Sequence, residues 1–89
     1  MPNKIFISGA SSGIGESLAY YYAQRQATIG IAARRLTRLE SVSRKCTELG
    51  GNPIIYHLDV SDQENSKTAT EEFIGKTGGI DIVIANAGI

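Results

Sequence analysis

The segment Ser8-Gly9-Ala10-Ser11-Ser12-Gly13-Ile14-Gly15 concentrates residues suited to holding phosphate rather than to breaking bonds. Its glycines stand at 9, 13 and 15, directly after the apolar run Ile5-Phe6-Ile7. Each has a separate physical job in such a place. Gly9 lets the chain turn sharply at a strand end, Gly13 lets backbone come close to a pyrophosphate, and Gly15 lets a helix pack tightly on a sheet. A helix starting at this turn offers unpaired N–H groups and the positive end of its dipole to phosphate charge. Glycine-rich turns also occur for purely steric reasons. The strand before, the helix after and a second strand ending about 20 residues further on give this one the context of a dinucleotide fingerprint.

At the end of that second strand, a cofactor with a free ribose 2′-hydroxyl meets Asp or Glu, which accepts its hydrogen bond. This chain has Ala33 there, followed by Arg34 and Arg35. A carboxylate would repel the extra phosphate of NADP, whereas a guanidinium grips it with paired, charge-assisted hydrogen bonds. The arginine pair is therefore expected to take the 2′-phosphate of NADP; the alternative is two solvated charges ahead of a helix. His57 has no nucleophile or ligand set near it in the sequence and reads as structural. Cys46 continues an apolar helical stripe and reads as a small core residue.

The elements that must position these residues follow from periodicity. From Gly13 the apolar positions Ile14, Leu18 and Tyr22 recur every four residues, with Ala19 and Ala23 beside them, which predicts a first helix. Thr28 to Ala33 is apolar on both sides, as parallel strands covered by helices are. Leu36, Leu39, Val42, Cys46 and Leu49 predict a second helix, with Thr37 and Glu40 at capping-box spacing and Gly50-Gly51 as its stop. Pro53 to Leu58 is a third strand. Ser61 with Glu64 repeats the capping-box spacing ahead of a helix running toward Lys76, whose inward face would carry Ala69, Phe73 and Ile74. Gly78-Gly79 ends it, and Ile80 to Ala85 is a fourth strand. The alternation βαβαβαβ with right-handed crossovers predicts an α/β fold, the first half of a Rossmann-type doubly wound parallel sheet of strand order 3-2-1-4. Its ligand crevice falls where the order reverses, between strands one and four. Residues 1–89 read as one such NAD(P)-binding domain, incomplete at its C-terminus.

Gly9-x-x-x-Gly13-Ile14-Gly15, Asp59-Val60 after the third strand and Asn86-Ala87-Gly88 after the fourth resemble, in order and spacing, the marker motifs of the short-chain dehydrogenases/reductases. The match covers essentially the whole chain but only about the first third of a typical member. The resemblance implies that Asp59 bonds the adenine amino group while the Val60 backbone seats the ring, though Asp59 is also placed as a turn or cap beside Ser61. It puts Ile14 under the nicotinamide end of the cofactor, where an ordinary first-turn core residue would look the same. It implies that Asn86 ties the fourth strand to its neighbours and that the backbone of Asn86, Ala87 and Gly88 borders the ribose. Ser11 and Ser12 would bond phosphate through hydroxyl or backbone. Two departures stand out. Ser12 occupies a position that is basic in many NADP-preferring members, and Ser8 stands where Thr is usual.

The family's chemistry uses a Ser, a Tyr and a Lys four residues after that Tyr, the lysine lowering the pKa of the proton-transferring tyrosine. None of Tyr20, Tyr21, Tyr22 or Tyr56 has a lysine at that spacing. The resemblance thus implies the cofactor half of an oxidoreductase moving hydride between NADP(H) and an alcohol or carbonyl, with catalysis in residues beyond Ile89. A non-catalytic nucleotide-binding module is the alternative. A methyltransferase-type domain binding S-adenosylmethionine would want an acidic residue where the arginine pair stands.

Composition agrees with a small packed domain: 42% of the 89 residues are hydrophobic and 20% charged, far from a disordered balance. Nine basic residues balance nine acidic ones, so no net field would draw the chain to nucleic acid or an anionic membrane. With one cysteine, no leader-like segment and no apolar run of roughly 18 residues, the expected location is cytoplasmic. An end after strand four would leave an open parallel edge and make the isolated chain marginal. The family's usual dimer helices would lie downstream, so a homo-oligomer is a matter for the complete enzyme.

Overall fold

The structure is a computed structural model, and it describes residues 3–11, 13–59 and 61–85. Among these, strands β1 (Lys4–Ser8), β2 (Thr28–Ala33), β3 (Asn52–His57) and β4 (Ile82–Ala85) alternate with helices α1 (Gly13–Ala23), α2 (Leu36–Glu48) and α3 (Gln63–Thr77). Each strand reaches the next through a helix, the connection that parallel pairing requires. The pairings are all parallel and the order is β3-β2-β1-β4. This is the first half of a doubly wound sheet, as the alternation predicts.

Side chains on a strand alternate between faces, and the two faces of β1 and β2 feed two separate cores. Ile5, Ile7, Ile29 and Ile31 pack with Ala19 and Ala23 of α1 and with Leu39, Val42 and Cys46 of α2. On the opposite face Phe6 and Ala32 meet Tyr56 of β3 and Ala69 and Phe73 of α3. Phe6 and Phe73 lie edge to face, with centroids 5.6 Å apart, an arrangement their ring quadrupoles favour. Gly30 leaves room for that pair: a Cβ there would stand 2.7 Å from the Phe6 ring and 2.9 Å from Phe73.

Several local expectations shift. Ala19 and Ala23 of the expected α1 face are buried together with Gly15, Leu18 and Tyr22 pack partly buried against the same core, and Ile14 alone of that face is exposed. Small side chains let the helix lie close to the sheet, and the larger residues flank the contact. Arg35 takes the extended N-cap conformation of α2 (φ −89°, ψ 95°) with no side-chain capping bond. Thr37 is already helical there, so the Thr37/Glu40 box does not form. At α3 the cap is Asp62, whose carboxylate accepts the Asn65 N–H at 3.1 Å, and Ser61 stands one residue outside. A carboxylate suits the positive end of the helix dipole.

Ile74 is 38% exposed and does not join Ala69 and Phe73 on the inward face. β4 begins at Ile82, not Ile80, because Asp81 occupies the end of the sheet, accepting the N–H groups of Asn3 and Lys4 at 3.0 Å each. β3 starts one residue before Pro53 and ends at His57, short of Leu58. Among the described residues β4 lies at one end of the strand order, and its Val83 is 56% exposed.

Cys46 is fully buried, and burial pushes its thiol up to about 11. Since the thiolate is the reactive form, Cys46 is expected to resist a thiol-reactive dye at pH 8 in the folded protein and to label fully in denaturant. Rapid labelling without denaturant would contradict this packing. None of the helices among the described residues is long and apolar enough to cross a membrane.

Candidate functional site

The turn after β1 is pinned to the neighbouring strand. Gly9 has φ +75°, and the N–H groups of Gly9 and Ala10 both donate to the Ala32 carbonyl, at 2.8 and 3.2 Å. Ser11 continues the turn, partly buried, and α1 starts at Gly13. The two glycines at the helix start differ in what surrounds them. A Cβ on Gly15 would stand 2.5 Å from the Gly9 carbonyl oxygen and 2.9 Å from the Ala10 Cα, so close helix-to-turn packing demands glycine. A Cβ on Gly13 would meet nothing within 4 Å. Among the described residues, packing therefore gives no reason for glycine at 13, and the space in front of it is open. Ile14 beside it is 62% exposed, which removes the alternative of a first-turn core residue.

Arg34 and Arg35 leave the end of β2 exposed, and with Leu36, Thr37, Arg38, Ser41 and His57 they line an open groove. Arg34 Nη1 lies 3.7 Å from Asp59 Oδ2, both side chains well exposed at 74% and 46%. The other carboxylate oxygen, Asp59 Oδ1, accepts the Ser61 hydroxyl at 2.7 Å and the Ser61 N–H at 2.9 Å. Asp59 is thus both a turn aspartate and a group facing the arginine across the ends of β2 and β3.

The Ser61 hydroxyl and N–H, with Arg34 contributing less, hold the Asp59 carboxyl below the usual carboxylate range. A depressed carboxylate pKa means that this arrangement is fully favoured above the ordinary Asp pKa and is lost as pH falls through the lowered one. Ser61→Ala is expected to move the Asp59 titration, followed by carboxyl-carbon NMR, upward toward the unperturbed value. An unchanged titration would remove the hydroxyl as the main cause.

Sequence reading missed a second set of charges. Glu16 in the first turn of α1 pairs with Arg38 in the first turn of α2, and its other oxygen accepts the Tyr20 hydroxyl at 2.9 Å. Burial, with Glu16 adding to it, pushes the Tyr20 hydroxyl up to about 12. The pair ties the glycine-turn helix to the helix that follows the arginines. No local spacing signals a contact between residues 22 apart. His57 lies at the last β2–β3 rung, and its ring Nε2 is 2.8 Å from the Arg34 carbonyl oxygen. Ser12, Val60, Asn86, Ala87 and Gly88 lie outside the described residues.

A glycine turn pinned between two parallel strands, an open space before the following helix and a charged groove one strand away define a nucleotide-binding domain of the doubly wound class. The chain belongs to the short chain dehydrogenase family, which matches it over residues 3–89. It is 46% identical over 86 residues to 11-beta-hydroxysteroid dehydrogenase-like 3 of Arabidopsis thaliana, across 96% of this chain and 28% of that protein. It is 42% identical to the 11-beta-hydroxysteroid dehydrogenase of Pinus massoniana, across 96% of this chain and 24% of that protein. The chain thus spans about a quarter of the length of these curated relatives. Among solved structures, a short-chain type dehydrogenase/reductase from Mycobacterium marinum superposes with a TM-score of 0.88 at 34% identity, over 98% of this chain and 35% of that one. An NADH-dependent reductase, A1-R′, solved with NAD, gives 0.86 at 26% identity over 99% of this chain and 37% of that one.

Proposed function

We propose that residues 1–89 are the NADP-binding first half of the cofactor domain of an oxidoreductase that moves hydride between NADP(H) and an alcohol or carbonyl substrate. The observation that carries this reading is the end of β2. Where a ribose 2′-hydroxyl would need a carboxylate, the chain turns out two exposed guanidiniums, and Arg34 opens into a groove large enough for a phosphate group. The structurally similar A1-R′ reductase is described as NADH-dependent, so family membership alone does not choose between the two cofactors; the arginines favour NADP.

The described residues fit the rest of such a cofactor. The open space at Gly13 and the start of α1 would take the pyrophosphate, with Gly9, Ser11 and Gly15 shaping the turn, and Ser12, outside the described residues, would add a phosphate contact. Exposed Ile14 would lie under the nicotinamide end. Asp59 keeps its carboxylate ionised beside the groove, ready to accept a hydrogen bond from an adenine amino group, with Val60 seating the ring. Asn86, Ala87 and Gly88 would border the ribose.

When bound, the cofactor would donate hydride as NADPH or accept it as the oxidised form; these residues would bind and orient it. The tyrosines described here are otherwise engaged. Tyr20 bonds Glu16, Tyr21 lies under the Arg25 guanidinium at 3.8 Å, Tyr22 packs edge to face on Tyr21, and Tyr56 is buried in the α3 core. Proton transfer to the substrate is accordingly assigned to residues outside these 89.

The test is thermal unfolding with matched concentrations of NADP and NAD. At one hundred times its dissociation constant a ligand adds about 2.7 kcal/mol, which for a domain of this size raises Tm by roughly 10 °C or more. NADP is expected to give that rise and NAD a clearly smaller one. Equal rises would leave a dinucleotide site without the 2′-phosphate assignment, and no rise with either would overturn the reading.

A further inference from the structure

Pairing of β2 with β3 ends at Ala33 and His57, and the Leu58 N–H closes the ladder on the Ala33 carbonyl at 3.1 Å. The next carbonyl along, that of Arg34, lies beyond the strand pairing. The His57 ring reaches it, with Nε2 2.8 Å from the oxygen. A carbonyl oxygen only accepts, so Nε2 carries the proton and donates it to this bond.

That carbonyl belongs to the peptide joining the two arginines. A peptide is planar, so holding its oxygen sets the plane that also contains the Arg35 N and Cα. The far side is held as well. Arg35 is the N-cap of α2, and its own carbonyl accepts the Leu39 N–H at 2.9 Å. The Cα–Cβ directions of Arg34 and Arg35 are therefore set by a ring on β3 at one side and a helix at the other. His57 lines the same groove as both arginines. Gripping one phosphate with two long side chains costs ordering entropy, and a backbone already held in place lowers that cost.

We propose that His57 is a positioning residue for 2′-phosphate selection: by fixing the Arg34–Arg35 peptide it aims both guanidiniums at an adenosine 2′-phosphate monoester. This rests on the NADP reading above. The glycine turn that would hold the pyrophosphate is anchored on Ala32, not on this peptide, so His57 acts on the 2′-phosphate and not on the rest of the dinucleotide.

The experiment is calorimetric titration of the wild-type protein, His57→Ala and His57→Gln with NADP and with NAD, after unfolding curves have shown each variant folded. The glutamine amide carries an N–H donor at nearly the reach of Nε2. One lost hydrogen bond of about 0.5–1.5 kcal/mol corresponds to roughly a 2- to 12-fold change. His57→Ala is expected to weaken NADP by that factor and to leave NAD unchanged, and His57→Gln to restore NADP affinity. An alanine variant that weakens both cofactors equally or neither, or a glutamine variant that fails to restore, overturns the role of His57. The wild-type titration decides the underlying reading separately: no preference for NADP would remove that reading and this one together, whereas a preference undiminished by His57→Ala removes only this one.

Discussion

Arg34→Ala is expected to weaken NADP binding by roughly 10- to 100-fold while NAD affinity stays within about twofold. A hydrogen-bonded contact to a charged group contributes about 1.5–3 kcal/mol, and solvent exposure of the guanidinium keeps its paired bonds to a phosphate near the low end of that range in total. The side chain is 74% exposed and its facing carboxylate is 3.7 Å away, so it is held near the groove without being locked to Asp59. Removing it does more than delete a donor. Asp59, whose carboxyl Ser61 holds below the usual carboxylate range, would then face the incoming phosphate without a cation between them. Arg35→Ala should cost less, because Arg35 is the helix N-cap and only its backbone has a defined partner here. Titration with NADP, NAD and adenosine 2′,5′-bisphosphate measures the contrast. Equal losses for NADP and NAD would mean that Arg34 supports the crevice as a whole rather than the 2′-phosphate.

The second large effect separates two glycines that look alike in the sequence. Gly15→Ala places a methyl 2.5 Å from one backbone oxygen and 2.9 Å from a backbone carbon, and backbone cannot step aside as a flexible side chain can. Overpacking of this kind costs about 1–3 kcal/mol, a Tm lower by roughly 5–20 °C, and α1 would be pushed off the turn. Gly13→Ala meets no protein atom within 4 Å and replaces a poor helix former with a good one, so its Tm should hold or rise slightly. Its dinucleotide binding should nevertheless fall by about 10-fold or more, since the methyl occupies the space through which backbone approaches phosphate. A Gly13→Ala protein that binds normally would show that the space serves no ligand. A Gly15→Ala protein of unchanged stability would contradict the packing of α1 on the turn.

Which elements form was readable because each is decided locally. Ile5-Phe6-Ile7 and Thr28–Ala33 are apolar runs of strand length, and the period of Leu39, Val42 and Cys46 is helical, so the doubly wound order followed from their alternation. The ends were less readable. Asp62 displaced Ser61 as the cap of α3, and Arg35 capped α2 ahead of Thr37. Capping depends on which residue takes extended backbone next to the first helical turn, and the length of the connection from the preceding strand decides that. The place of Ile14 on α1 was misread for a related reason. Periodicity puts Ile14 on the same face as Leu18, Ala19, Tyr22 and Ala23, but the close approach of helix and sheet buries Gly15 with the two alanines and leaves Ile14 outside.

The site divides along the same line. Residues 8–15 and the arginines at 34 and 35 mark the proposed dinucleotide crevice in the sequence because strand, turn and helix there are contiguous; Gly15 answers a steric demand of the turn, whereas Gly13 meets no described atom. Tertiary structure alone decided the couplings: Glu16 with Arg38, Arg34 with Asp59, and the His57 ring on the Arg34 carbonyl. These partners are 22 to 25 residues apart, brought together by parallel crossovers and strand register. Spacing along the chain reports which residues share a helix face or a turn; it carries no signal for side chains that meet only after the sheet has formed.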